Sequence, residues 1–184
     1  MELKSRINLS FKALFLLLFL ADVLSAQDYF PITPGNEWTY GNAQSGTPNV
    51  RIYISDGEVE WDGEQYYQMK GLSLEDSLNQ KSISSVLLRK ARNGDLYGIN
   101  LSVSEDEYLF FPGKPKVGYS WTGLSGLSKI TSAKGRLETP VGTFDNCIIV
   151  ESIAGGAKAF TYYQIDKGMV AVTIEDRVLM YLIE

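Results

Sequence analysis

Short runs of alternating apolar and polar residues make up most of the chain beyond residue 26. In the segment VRIYIS, Val50, Ile52 and Ile54 fall on one face of an extended chain, and the segment CIIVESI (147–153) is almost continuously apolar. These runs are rich in Val, Ile, Tyr, Phe and Thr, the composition typical of β-strands. The pattern therefore predicts strands rather than helices along nearly the whole chain.

Turn-forming pairs separate these runs. Asp-Gly and Asn-Gly pairs favour two-residue hairpin turns because the backbone of such a turn needs positive φ, which predicts hairpins at Asp62-Gly63 and Asn93-Gly94. Five strand-like runs with short links follow residue 134, which predicts a meander. Residues 72–83, where the leucines have no clear period, are the only stretch beyond the N-terminal segment that could form a helical turn or two.

Together these patterns predict an all-β fold, mainly antiparallel and with little helix. We expect about nine to eleven strands, too many to form a flat open sheet. A single curled meander sheet that forms a barrel or half-barrel is the predicted architecture, and a folded-over sandwich is the alternative. No linker or low-complexity segment divides residues 27–184, so we expect them to form a single β-rich domain.

The N-terminus has the pattern of an export signal peptide. A positive leader precedes the apolar run ALFLLLFL (13–20), and Ser25 and Ala26 form a small-residue cleavage motif before Gln27. The apolar run is shorter than the roughly 20 residues that a membrane-spanning helix needs. We expect residues 1–26 to be removed, leaving no integral membrane segment, and the protein to be periplasmic or secreted.

One phrase occurs twice in the chain. Residues 29–40 (YFPITPGNEWTY) and 110–123 (FFPGKPKVGYSWTG) share an aromatic residue, Phe-Pro, a Gly and a Trp-Thr pair. The second copy is lengthened at residues 113–117 (GKPKV). Pro is found at the margins of strands because it cannot donate a ladder hydrogen bond. We expect each copy to start a β-rich half of the chain and to anchor the core with Trp38 or Trp121.

Composition excludes several kinds of chemistry. The chain has no His, which removes the commonest general base and metal ligand, and its single Cys, Cys147, lies at the start of an apolar strand and is expected in the core. The acidic segment 56–64 lacks the EF-hand spacing. The net charge of −5 argues against nucleic acid as a partner. We expect no metal and no cofactor.

Two kinds of side chain remain as candidates for function. Carboxylates are numerous enough for a glycan hydrolase, which needs an acid and a second carboxylate at the scissile bond, but no spacing selects a pair. Aromatic doublets place one ring on each face of a strand. An outward row of rings on a concave sheet is a platform for ligands, and we predict Trp61, Tyr67 and Tyr162 as ligand-binding residues.

Several phrases in this order resemble a group of uncharacterised exported bacterial proteins. The resemblance rests on the Phe-Pro…Gly…Trp phrase, on Thr139-Pro140-Val141-Gly142-Thr143-Phe144 up to Cys147, and on Tyr162-Tyr163 followed by Gly168. A fainter similarity connects the chain with periplasmic lipoprotein carriers, whose curved half-barrels hold acyl chains. The first resemblance implies export, and the second implies a curved antiparallel sheet.

These observations lead to one main functional hypothesis and two alternatives. We expect a non-enzymatic exported β-domain that binds a small apolar or aromatic-friendly ligand, or an envelope protein. The first alternative is a carboxylate-based glycan hydrolase. The second is a purely structural component of the cell envelope.

Overall fold

The computed structural model describes residues 28–74, 81–154 and 156–183. Twelve β-strands form in these ranges. In chain order they are β1 Glu37–Asn42, β2 Pro48–Trp61, β3 Glu64–Ser73, β4 Ser82–Lys90, β5 Leu96–Ile99, β6 Tyr108–Phe111, β7 Ser120–Gly123, β8 Gly126–Thr139, β9 Gly142–Ala154, β10 Ala157–Gln164, β11 Gly168–Ile174 and β12 Arg177–Leu182. None of the described residues lies in a helix long and apolar enough to cross a membrane.

All twelve strands belong to one antiparallel sheet with the order β6-β5-β4-β3-β2-β1-β12-β11-β10-β9-β8-β7. Each strand pairs with its neighbour in the chain except at β6 and β7, and the first strand pairs with the last. The sheet is therefore a meander curled into a nearly closed barrel. The predicted all-β, antiparallel fold is confirmed.

The break in the barrel is the seam between β6 and β7. These strands lie side by side, but no ladder joins them in the described part of the chain. A Cβ placed on Gly123 would lie 3.6 Å from the carbonyl oxygen of Leu109. An inserted strand would need about 4.8 Å of space from each of its two neighbours. The close approach of Gly123 to Leu109 leaves no such space at this point of the seam.

The hairpin predicted at Asp62-Gly63 is confirmed. Trp61 pairs with Glu64, and both turn residues have positive φ, 50° at Asp62 and 78° at Gly63. Of the stretch 72–83, residues 72, 73, 82 and 83 lie in strands, and residues 75–80 lie outside the described ranges, as do the predicted leader 1–26 and its cleavage point.

The interior of the barrel is filled by apolar side chains rather than by a channel. Tyr40, Ile54, Leu88, Ile130 and Ile148 are at most 2 % exposed and belong to one cluster. A second, smaller cluster forms outside this core from Tyr66, Leu87 and Ile99, with Val59 and Trp61 packed against it.

The two copies of the repeated phrase share the same backbone arrangement at their glycine. The N–H of Gly35 donates to the carbonyl of Ile54 at 3.1 Å, and the N–H of Gly118 donates to the carbonyl of Ile130 at 2.8 Å. Both glycines have positive φ, 83° and 89°. Trp38 and Trp121 follow three residues later and are both buried, which confirms their predicted place in the core.

Each copy of the phrase also contacts a hairpin in the other half of the barrel. The first phrase packs against the turn between β10 and β11, where the indole N–H of Trp38 donates to the carbonyl of Lys167 at 2.7 Å. The second packs against the turn between β4 and β5, where the N–H of Gly113 donates to the Asp95 carboxylate at 2.8 Å. Each phrase thus starts one half of the barrel and contacts the corresponding hairpin of the other half.

Candidate functional site

A groove of about 760 Å³ opens at the end of the barrel where the chain crosses from β6 to β7. Its described lining comes from the turn between β4 and β5, the link between β6 and β7, the strands β8 and β9, and the N-terminal segment. The lining residues are Tyr29, Lys90, Ala91, Arg92, Asn93, Gly94, Gly113, Lys114, Pro115, Lys116, Ala133 and Ile148. This volume lies within the range of roughly 300–1,000 Å³ that is usual for small-molecule sites.

The turn between β4 and β5 forms one wall of the groove. The N–H of Ala91 donates to the carbonyl of Asp95 at 2.8 Å, and the N–H of Gly94 donates back to Ala91 at 2.9 Å. Of the Asn93-Gly94 pair only Gly94 has positive φ, at 89°. The hairpin forms as predicted, but its loop has three residues instead of two, since a type I turn followed by a left-handed glycine closes it.

The link between β6 and β7 forms the opposite wall and is fastened to this turn. Asp95 accepts the Gly113 N–H through one carboxylate oxygen and the Asn93 side-chain amide, at 2.7 Å, through the other. Gly113 lies directly against the backbone of Gly94, where a Cβ would overlap it. The two walls are thus held at a fixed separation by a carboxylate and by a contact that only glycine permits.

The floor of the groove is apolar and belongs to the barrel core. Ile148 is 2 % exposed, and Tyr29 packs against Phe111 with ring centroids 6.1 Å apart. Burial raises the pKa of Tyr29, and the neighbouring Cys147 adds to this shift, so the phenol is neutral at physiological pH. A smaller cavity of about 30 Å³ shares Tyr29 with the groove and extends to Leu96.

The charged residues in the described lining of the groove are all cationic. Lys90, Arg92, Lys114 and Lys116 line it, and its described lining contains no carboxylate. Lys90 is paired with Asp28 at 2.6 Å. This arrangement contrasts with the net charge of −5 for the whole chain.

The predicted ligand-binding residues lie apart from one another and outside the groove lining. Trp61 packs against the cluster of Tyr66, outside the barrel core, whereas Tyr67 packs on the core itself and donates its hydroxyl to Glu58 at 2.9 Å. Tyr162 lies next to the buried Tyr163 and, because side chains alternate along a strand, points to the opposite face. Their role in binding stays a prediction.

The groove residues were not predicted as a site from the sequence. The available signal was the lengthening of the second phrase at residues 113–117, which contributes Lys114 and Lys116 to the groove wall. The corresponding part of the first phrase is two residues shorter and has no Lys. The groove therefore lies where the two otherwise similar halves differ.

Other candidate chemistry has little support in the described residues. Cys147 is fully buried, as predicted, and burial together with the charge of Asp145 raises its pKa to about 11, against the conditions for a reactive thiolate. In the described ranges no three Cys, Asp or Glu side chains are grouped to hold a metal ion. The described lining of the groove contains no pair of carboxylates that could act in a glycan hydrolase, so that hypothesis stays a prediction.

Comparisons of the chain with protein-family models, with curated proteins and with solved structures give no match. The resemblance to exported bacterial proteins therefore stays a prediction.

Proposed function

We propose that the protein binds a small apolar molecule in the groove between the β4–β5 turn and the β6–β7 link. One observation carries this proposal: an open groove of about 760 Å³ reaches the apolar core at Tyr29 and Ile148 in a barrel that is otherwise filled by side chains. Concave sites with an apolar floor and a few polar groups at the rim are typical of small-molecule binding.

The local structure supports a preformed site. Asp95 and the close approach of Gly94 and Gly113 fix the walls without any ligand. A site that is already ordered pays less conformational entropy on binding. The predicted leader at 1–26 would place this binding in the periplasm or outside the cell, and we propose that the protein acts there by binding and not by catalysis.

Ligand titration of a variant with a filled groove tests the proposal. Ala133 is exposed and lines the groove, so Ala133→Trp fills it from the rim without changing the core. Val141→Trp is the matched control, because Val141 is 53 % exposed and lies outside the groove lining. Thermal unfolding verifies that both variants are folded.

The neutral fluorescent probe N-phenylnaphthylamine is titrated into each protein. We expect saturable binding of one probe per chain by the natural protein and by Val141→Trp, and at least a ten-fold loss of affinity, about 1.4 kcal/mol, in Ala133→Trp. Absence of saturable binding to the natural protein, or equal binding by all three, would overturn the proposal.

A further inference from the structure

One of the four cations in the described groove lining forms an ion pair, and the other three do not. Lys90 is held by Asp28 at 2.6 Å. Arg92, Lys114 and Lys116 are exposed and form no ion pair with any described residue. Three positive charges without a described ion-pair partner therefore lie at the mouth of a groove whose floor is apolar.

The carboxylate of Asp95 joins the two walls of the groove. Asp95 accepts hydrogen bonds from the Gly113 N–H and the Asn93 amide, at 2.8 and 2.7 Å. It thus fastens the two walls to each other, with Arg92 on one wall and Lys114 and Lys116 on the other. Among the described residues Asp95 forms no ion pair with these cations; its two hydrogen bonds fix the position of one wall relative to the other.

We propose that the ligand of this groove is an amphipathic anion, with an apolar body on Tyr29 and Ile148 and a terminal carboxylate or phosphate held by Arg92, Lys114 and Lys116. This inference rests on the proposed function and names the ligand's class. Arg and Lys bind carboxylates and phosphates through charge-assisted hydrogen bonds, which are stronger than neutral ones. In an acidic chain such a local excess of cations also attracts anions selectively to this mouth.

Four probes with the same apolar chain and different head groups test the inference by calorimetry below their micellar concentrations. They are tetradecanoate, tetradecyl phosphate, neutral monotetradecanoylglycerol and cationic tetradecyltrimethylammonium. We expect both anions to bind about ten-fold more tightly than the neutral probe, and the cation to bind most weakly.

The two anions distinguish the possible head groups. Tighter binding of the phosphate identifies a phosphorylated lipid as the better fit, and tighter binding of the carboxylate identifies a fatty acid; both support the inference. Inorganic phosphate, which lacks the chain, should bind far more weakly than either anion.

Charge-removing variants locate the head group. In Lys114→Gln/Lys116→Gln we expect the preference for anions to disappear while the neutral probe binds as before. Lys70→Gln/Lys81→Gln removes the same charge away from the groove lining and should keep the preference. Higher ionic strength should reduce the preference by screening the exposed charges.

The outcomes separate the two proposals. If the neutral probe binds and the anions bind no better, this inference is wrong and the proposed function stands. If none of the four chain-bearing probes binds, this inference is wrong, and the proposed function fails as well only if N-phenylnaphthylamine also shows no saturable binding. If inorganic phosphate binds as tightly as tetradecyl phosphate, the apolar floor takes no part and the amphipathic assignment is overturned.

Discussion

The ring of Phe30 meets the ring of Phe110 edge-on at 5.2 Å, and the ring of Tyr29 meets that of Phe111 at 6.1 Å. The first aromatic residue of each phrase thus contacts the second aromatic residue of the other phrase. Such a reciprocal exchange is the pattern of a two-fold axis. The repeated phrase is therefore a device that joins the two halves of the barrel through each other's rings.

This exchange predicts a measurable coupling between Phe30 and Phe110. Phe30→Ala should lower the free energy of unfolding by about 3 kcal/mol, because it leaves a cavity in the core. In a double-mutant cycle with Phe110→Ala we expect a coupling of about 1 kcal/mol, measured by urea denaturation. Leu127→Ala, at a side chain that is 65 % exposed, should change stability by less than about 0.5 kcal/mol. Additive effects of the two Phe substitutions would contradict a direct ring contact.

The equivalence of the two phrases predicts equal effects at Gly35 and Gly118. Both have positive φ, and a Cβ at either would meet no atom within 4 Å, so substitution by Ala causes backbone strain without a clash. Each Gly→Ala variant should lose about 1–2 kcal/mol of stability, and Gly→Asn should lose less, because Asn tolerates this conformation better. Chemical denaturation of both pairs measures these changes.

Gly123 provides the control for this series. Its backbone does not have positive φ, and an added Cβ would make only ordinary contacts, the nearest at 3.6 Å. Gly123→Ala should therefore be well tolerated. A large loss at Gly35 with none at Gly118 would mean that the two phrases do not share one backbone structure.

Much of the fold could be predicted because its signals are local. Alternation places Ile54 on the core side of β2, and Asp62-Gly63 closes its hairpin as the residue types require. The pairing of β1 with β12 and the open seam between β6 and β7 have no local signal, since they depend on which strand edges meet after the sheet curls. The hydrogen bond between Asp95 and Gly113, eighteen residues away, likewise has no local signal.

The candidate site was harder to predict than the fold. The prediction of Trp61, Tyr67 and Tyr162 rests on an outward row of Tyr and Trp on a concave sheet, to which the doublets at Tyr67 and Tyr162 contribute one ring on each face of a strand. The described lining of the groove instead has a single aromatic residue, Tyr29, and two of its four cations, Lys114 and Lys116, come from the lengthened phrase. The lengthening is visible in the sequence, but only the folded chain brings it opposite Arg92.

The adjacent residues Tyr66 and Tyr67 should respond differently to loss of their hydroxyl groups. Tyr66 is 4 % exposed and donates to Glu107 at 2.8 Å, and the same carboxylate binds Arg89 at 2.7 Å. Tyr66→Phe should therefore lower the free energy of unfolding by about 1 kcal/mol. Tyr67 donates to Glu58 at the surface, where water replaces the partner, so Tyr67→Phe should leave stability unchanged. Urea denaturation of the two variants measures the difference, and equal losses would show that burial does not decide the value of these hydrogen bonds.

The raised pKa of the buried Cys147 thiol predicts how the free energy of unfolding changes at alkaline pH. Burial, and after it the charge of Asp145, raises the thiol pKa from an ordinary 9.0 to about 11, while Lys167 opposes the shift. Below pH 9 the thiol is neutral in both states, so the stability that it contributes is fully present. Between pH 9 and 11 the thiol ionises in the unfolded chain and stays neutral in the folded chain, so the free energy of unfolding must fall as pH rises.

The variant Cys147→Ala should lack this part of the pH dependence, whereas the raised pKa values of Tyr40, Tyr108 and Tyr163 act equally in both proteins and cancel in the difference. Urea denaturation between pH 8 and 10.5 measures the two slopes, and identical slopes would mean that solvent reaches the thiol in the folded protein.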